Sequence, residues 1–577
     1  MEGDVMTQLT TRARHRLISL GLYAFFLLFF LWPIYRILVR GFVTRSGHFT
    51  LQYVGLVFSD PELVRGLVNA IAIAAVVTLL SLLISMPLAI LSVGYEFPLR
   101  GLLGGLMLAP LVLPPFVGAI GVRLLLGRLG PLSVLAGYGQ GAGFDWLGRY
   151  RALGIVVIEV LHLYPVLLLN LQASLASVDP TMQQAAANLG AGRFTVFRRI
   201  TMPLIRPGIF AGCTLTLIWS FTELGTPLMF GFNTITPVQI FEQVTDVADN
   251  PLPFALVVVT LGVAVGLYLV GKVLLGRSYD TAATKASVAM MPKRLRGLWA
   301  ILACLPFVLV LALALLPHLS VVLTSLSATG QWYRSILPQQ FTSSHYLAAL
   351  TDDLAMPSVA NSAIYASLAT AVALVVGLGV GIIAVRSRLP DRGVIDALAM
   401  LPLAVPGLVL AFGYLAISVT LKQKFGEKLP IWLNVQEMPV VFLVIAYAAR
   451  RLPYIVRSTV AGLQQTPVDL ELAAANLGAS RATVLRRITL PLILANLIAG
   501  ALLAFAFALL EVSDSIILAQ KAAYFPITRA ILELSQRLGD GLYIASALGV
   551  WTMLLLTVTL LAANQLLGRK MGAVFRV

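Results

Sequence analysis

Two stretches of 21 residues, AAANLGAGRFTVFRRITMPLI from Ala185 and AAANLGASRATVLRRITLPLI from Ala473, are near copies within a chain of 577 residues. Gly190 aligns with Gly478, an offset of 288 residues or half the chain, and the same offset aligns Pro165 with Pro453 and Glu223 with Glu511. Upstream, Pro110 and Pro114 match Pro402 and Pro406, and Asn69 matches Asn361, at an offset of 292 that implies a four-residue loop difference. Apolar sequence imitates itself by chance. A polar block with Asn, Gly, Arg-Arg and Pro in register does not. The chain is therefore expected to be two copies of one fold in the same orientation, as parallel repeats are.

What surrounds the copies makes this a membrane fold. Hydrophobic residues are 59% of the chain and charged residues 11%, where a water-soluble protein carries about 25% charge. A helix needs about 20 apolar residues to cross a bilayer core. Twelve such runs are read, near 17–39, 67–94, 102–127, 152–174, 208–230 and 253–275, then 298–326, 362–385, 394–421, 438–462, 491–518 and 543–566. The expected fold is all-α and polytopic, as two tandem six-helix repeats over 1–276 and 298–577, joined by a polar, basic linker at 277–297. The net charge of +16 gathers between apolar runs, at Arg12, Arg14 and Arg16, at Arg198 and Arg199, at Lys293, Arg294 and Arg296, at Arg486 and Arg487, and at Arg569 and Lys570. Cationic loops stay on the cytoplasmic side, which places both termini there and the acidic loop of Glu242, Asp246 and Asp249 outside. Three lysines in 422–428 run against that bias. A nucleic-acid surface would need a soluble basic face with interleaved aromatics, and none is seen. The run from Leu17 to Val39 is too long for the core of a cleaved signal peptide and lacks a small-residue cleavage pattern, so it is read as a retained span. Cys213 and Cys304 each lie in an apolar run and read as packing residues, not as a disulfide or a metal site.

The repeated block falls between the fourth and fifth spans of each half, on the cytoplasmic side. Its Ala run favours helix, and Gly190 or Gly478 suits a helix end. The sequences RFTVFRRI and RATVLRRI begin a second helix, and Pro203 and Pro491 fit the entry to the next span. The product is a short projecting helix, a tight turn and a second helix, with small Ala side chains that let a partner approach. The block resembles the cytoplasmic "EAA" loop of ABC importer permease domains, whose pattern is Glu-Ala-Ala, three residues, Gly, nine residues, Ile, one residue and Leu-Pro. Ala185, Ala186, Gly190, Ile200 and Pro203 match it, as do Ala473, Ala474, Gly478, Ile488, Leu490 and Pro491. Gln184 stands at the Glu position of the first copy. In the second, Leu472 stands there and Glu471 lies one residue earlier. The resemblance covers nearly the whole chain. It implies a type I importer-like permease whose two loops seat in two copies of a cytoplasmic ABC ATPase, with a periplasmic solute-binding protein delivering cargo. It places the chain in the bacterial inner membrane, in contact with lipid. ATP and magnesium would sit on the ATPase, with no cofactor on this chain and no covalent chemistry performed by it. The segment Gly266 to Lys272 matches half of a P-loop, but Val273 stands where Ser or Thr should hold magnesium, inside an apolar span.

Charged residues inside spans are costly and face the bundle interior or water. Glu223 lies 15 residues past Gly208, or about 22 Å along a helix. Glu223 and Glu511 share one repeat position, with Asp514 close by. Two readings stand: the acids line the outer pathway or its gate, or they hold the fifth spans in place by interhelical hydrogen bonds. Gly225 and Pro227 favour a helix break beside Glu223. Arg450 and Arg451 fall inside the tenth span, and the 288 offset sets His162 opposite Arg450. The arginines pair with an acid, with Glu511 the foremost candidate, or contact an anionic cargo, or snorkel toward the interface. The Pro-rich third spans, APLVLPPF and LPLAVPG, break at matching depths.

A secondary transporter of two six-span halves is the rival class, though it has no use for duplicated cytoplasmic blocks. A membrane-embedded enzyme would need catalytic clusters that five scattered histidines do not supply. Among ABC importers, the fused length and the ELGTP element most resemble the ferric-iron group. Relatives that carry 2-aminoethylphosphonate, thiamine, polyamines or phosphorylated sugars are the alternatives for cargo.

Overall fold

The computed structural model describes residues 15–44, 46–128, 130–137, 146–244, 250–275, 292–403 and 405–567. Arg12 and Arg14 of the basic start, Asp246 and Asp249, residues 277–291 of the linker, and the terminal Arg569 and Lys570 lie outside them.

The apolar runs become helices wherever nothing interrupts them. In the first half these are α1 (His15–Phe42), α2 (Pro61–Gly94), the bent pair α3 (Arg100–Leu111) and α4 (Pro115–Leu125), and then α5 (Arg151–Ala176). They are followed by α6 (Pro180–Asn188), α7 (Arg193–Phe221), α8 (Gly225–Met229), α9 (Thr236–Glu242) and α10 (Leu252–Leu275). The second half gives α11 (Leu298–Ser325), α12 (Ala355–Arg386), α13 (Arg392–Met400), α14 (Gly407–Phe425) and α15 (Val440–Gln465). It closes with α16 (Val468–Asn476), α17 (Arg481–Leu509), α18 (Ser513–Leu518), α19 (Ile527–Gln536) and α20 (Gly541–Leu567).

Among the described residues, ten helices are long and apolar enough to cross a membrane, or eleven if the α3–α4 pair, bent by 90°, is one span. Twelve were expected. Helix α15 occupies the place of the tenth expected run and is 26 residues long, but Arg450, Arg451 and Arg457 make it too charged to count by composition. The expected runs 208–230 and 491–518 also differ. Helices α7 and α17 start earlier, at Arg193 and Arg481, and stop at Phe221 and Leu509, and short helices follow each break. Lys422 and Lys424 extend α14 instead of forming a loop.

The repeat is legible residue by residue. Helices α6 and α16 correspond at an offset of 288, as do the ends of α7 and α17. The Asn69 amide donates to the Thr234 carbonyl at 2.7 Å, and the Asn361 amide to the Ala523 carbonyl at 3.0 Å. These two bonds tie α2 and α12 to the segments ahead of α9 and α19.

The halves are clasped by exchange of their first helices. Helix α1 packs against α14, where the Tyr414 hydroxyl donates to the Phe29 carbonyl at 2.6 Å and Arg36 donates to Thr420 at 2.7 Å. Helix α11 packs reciprocally against α4. Each crossing is a glycine against a proline turn. A Cβ on Gly121 would sit 1.9 Å from the Pro317 carbonyl oxygen, and one on Gly413 would sit 2.6 Å from Pro33 Cβ. Only a residue without a side chain allows such an approach. The end of the linker is zipped to the first half, because β1 (Tyr95–Glu96) pairs in parallel with β2 (Lys293–Arg294). Apolar side chains such as Leu79, Leu83, Leu305 and Val375 stay exposed on the outer faces of α2, α11 and α12. Lipid tails complete these faces in a bilayer.

Candidate functional site

Two regions carry the residues singled out from sequence: a pair of projecting knobs and a cavity between the halves.

Each knob is a short helix closed by a glycine. In the first, the Asp179 carboxylate caps α6 by accepting from the Thr181 N–H at 2.8 Å. That bond draws the exposed Asp179 carboxyl below its ordinary range. Helix α6 ends as the Leu189, Gly190 and Ala191 amides turn back to the carbonyls of Ala185, Ala187 and Ala186. Gly190 has φ +83°, a left-handed conformation that a side chain would strain. The second knob has Pro467 in place of the capping Asp179 but repeats the closing turn: Leu477, Gly478 and Ala479 return to Ala473, Ala475 and Ala474, and Gly478 also has φ +83°. No residue of α6 or α16 is buried. The turn leaves Leu189 and Leu477 standing out at 89% and 88% exposure. Met182 and Phe194 in the first knob, and Val468, Leu470 and Leu472 in the second, are exposed as well, so each knob presents an uncovered apolar surface.

The knobs differ at their bases. Glu471 turns inward, where it accepts from Arg386 and from the Thr489 hydroxyl, each at 3.2 Å. Arg386 also donates to the Thr466 carbonyl at 3.0 Å, which ties α12 to α16. In the first half, Gln183 makes the equivalent reach, to the Thr201 hydroxyl at 3.2 Å. Gln184, aligned to the Glu position from sequence, makes no such contact among the described residues. Both bonds end on the last residue of a five-residue π-turn, Phe197–Thr201 or Leu485–Thr489. Pro203 and Pro491 follow in the first turns of the helices that continue into the membrane. The knobs are thus hydrogen-bonded to the roots of α7 and α17.

The cavity, about 160 Å³, lies where the two halves meet. Its wall includes His162, Glu223, Arg450, Arg451 and Glu511, as well as Glu159 and Trp219. Broken helices build it. Pro114 and Pro406 precede α4 and α14 at equivalent positions, and Pro115, Pro402, Pro406 and Gly407 line the space. A Cβ on Gly407 would lie 1.8 Å from Arg450 Nη1, so glycine is what lets that guanidinium through.

The two halves bring different charges to it. Glu511, 3% exposed, is held by both Arg450 and Arg451. Asp514, fully buried beside the cavity, lies 3.6 Å from Arg450. The arginines are therefore engaged from within the chain. Glu223 does something else. Its Oε1 accepts from the Gly225 and Thr226 amides at 3.1 and 3.2 Å, capping α8. Glu159 accepts from the Ser220 hydroxyl. His162 makes no hydrogen bond to Arg450 among the described residues; its Nδ1 lies 2.8 Å from the Pro110 carbonyl. A carbonyl only accepts, so that nitrogen carries the proton. Glu159 was missed in the sequence. The signal was there, as the lone acid in the run 152–174, but its repeat counterpart is Tyr447, so it is not one of a pair of acids related by the repeat.

A protein family described as "Binding-protein-dependent transport system inner membrane component" matches residues 81–278 and 373–572. The ferric transport system permease protein FbpB of Actinobacillus pleuropneumoniae is 26% identical over 518 residues, covering 87% of this chain and 71% of that protein. The molybdenum transport system permease protein ModB of Escherichia coli K12 is 32% identical over 185 residues, covering 31% of this chain and 76% of that protein. Among solved structures, a bacterial ABC transporter involved in the import of the acidic polysaccharide alginate aligns over 48% of this chain and all of its own, at 15% identity and a TM-score of 0.37.

Proposed function

The chain belongs to the family of binding-protein-dependent transport system inner membrane components, and from that premise we propose that it is the fused permease of an importer for ferric iron. An ABC importer permease is a multi-pass inner-membrane protein that performs no catalysis itself and works with an ATPase and a binding protein. The finer reading is that two copies of a separate ATPase grip the α6 and α16 knobs, that both knobs and both termini are cytoplasmic, and that closure of the ATPase pair rotates the halves about the cavity. ATP and magnesium would belong to the ATPase, and a periplasmic binding protein would feed the outer opening.

The observation that carries this reading is the matched pair of knobs: the same turn, the same positive-φ glycine and the same protruding leucine, 288 residues apart. Iron as cargo rests on likeness to the ferric permease and on the charge at the cavity, where Glu159, Glu223, Glu511 and Asp514 outnumber Arg450 and Arg451. An anionic cargo would have to take the arginines from Glu511. Leu189→Asp and Leu477→Asp test the docking. Each should leave the folded permease in the membrane at wild-type levels while ATP-driven uptake of radioactive iron is lost. Full uptake by the double variant would contradict it. Uptake of thiamine, 2-aminoethylphosphonate, a polyamine or a sugar phosphate in place of iron would reassign the cargo and keep the machine.

A further inference from the structure

Resting on the importer reading above, we propose that Glu159 and Glu223 form a one-sided way station in the cavity for a hard, oxygen-seeking polyvalent cation. The two halves furnish the cavity asymmetrically. In the second half, the repeat position of Glu223 is Glu511, and two arginines neutralise it. The repeat position of Glu159 is Tyr447, whose hydroxyl is paired with Ser515 at 2.5 Å. That half is satisfied from within. In the first half, both positions are carboxylates, and neither makes an ion pair among the described residues.

Glu159 is 2% exposed, and its Oε1 is buried without a hydrogen-bond partner among the described residues, although the side chain lines the cavity. Glu223 uses one oxygen to cap α8, and its Oε2 has no bond among the described residues. Two carboxylates with spare oxygens on a membrane-interior cavity are expensive to keep. An unsatisfied buried acceptor asks for a partner. Hard cations are the ligands that oxygen-only donors select. The described residues hold no group of three His, Cys, Asp or Glu placed to grip a metal. Two carboxylates instead of a full cage suit passage: the site attracts the ion and leaves most of its shell to water or to whatever it travels with. Arg450 and Arg451 stay paired with Glu511 and Asp514, so the charge left for an ion at the cavity is that of Glu159 and Glu223.

Trp219 lines the same cavity and gives the site its own reporter. The full-length chain, purified into lipid nanodiscs, is titrated with terbium(III) alone while tryptophan is excited. A saturable terbium emission is expected that Trp219→Phe abolishes and ferric citrate displaces. Glu159→Gln and Glu223→Gln should each raise its half-saturation at least the roughly tenfold that loss of even an outer contact costs a bound metal. Glu427→Gln, on an exposed turn, should leave it unchanged. No Trp219-dependent emission in the wild type would overturn the proposal, and so would an unaltered titration in the double Gln variant. The wild-type and Trp219→Phe measurements keep both acids in place, so they decide even if a Gln variant does not fold. A null terbium result alongside ATP-driven uptake that depends on Leu189 and Leu477 sinks the way station alone. Terbium binding without that dependence sinks the importer reading instead.

Discussion

The exchange of first helices between halves makes a sharp prediction at Gly121. A Cβ there would stand 1.9 Å from the Pro317 carbonyl oxygen, 2.6 Å from its carbon and 3.0 Å from its Cα. An ordinary close carbon–oxygen contact is about 3.3 Å, so α11 must retreat by about 1.4 Å from α4 in a Gly121→Ala variant. The obstacle is backbone, so no rotamer change relieves it. Overpacking of this kind costs about 1–3 kcal/mol. At Gly413 the nearest atom is Pro33 Cβ at 2.6 Å, with its carbonyl carbon and oxygen at 2.8 and 2.9 Å, so Gly413→Ala should cost less. Gly262 is the control. Nothing lies within 4 Å of its would-be Cβ, and Ala there gains up to about 1 kcal/mol of helix propensity. The assay is the half-life of the folded, monodisperse chain in detergent at a fixed elevated temperature, since unfolding of such proteins is read as a rate. If the strain is relieved on unfolding, Gly121→Ala shortens that half-life about 5- to 150-fold, Gly413→Ala shortens it less, and Gly262→Ala leaves it equal or longer. Equal half-lives for Gly121→Ala and Gly262→Ala would refute the clasp.

The remaining predictions concern charge and the knobs. Glu511→Ala strands two arginines and should cost up to about 3–5 kcal/mol, less what partial exposure of the guanidinium groups screens, seen as loss of folded protein. Glu223→Gln, which abandons no cation, should express normally. Gly190→Ala and Gly478→Ala put a side chain at φ +83°, a cost of about 1–2 kcal/mol confined to an exposed turn. Uptake should fall while detergent half-life holds. Glu471→Gln breaks the tie to Arg386, and hydrogen exchange at α16 should quicken while α6, tied through Gln183 and Thr201, stays unchanged.

The repeat, the knobs and the membrane class were readable because each is written in local sequence: apolar run length, an Ala run ended by Gly, and polar blocks in register. Helix breaks beside Glu223 and before Gly407 were also legible, through Gly225, Pro227 and Pro406. What sequence did not carry was which half touches which. The docking of α1 on α14 rests on Pro33 meeting Gly413 across 380 residues, a contact with no local trace. The inward turn of Glu471 also had no local trace, because its partner, Arg386, is 85 residues away. Composition alone does not mark α15 as a span, because Arg450 and Arg451, paired with Glu511 and Asp514, sit inside an interior helix. A run of similar length surrounded by lipid could not have held them.

The account rests on two equivalent knobs reaching one motor. Single cysteines at Leu189 and Leu477, placed in a chain with Cys213 and Cys304 replaced by serine, can be titrated with a membrane-impermeant maleimide in intact cells and in inside-out vesicles. Both should label only in the vesicles, and both should be shielded when the ATPase is bound. Labelling of the two positions from opposite faces, or shielding of one alone, would contradict it.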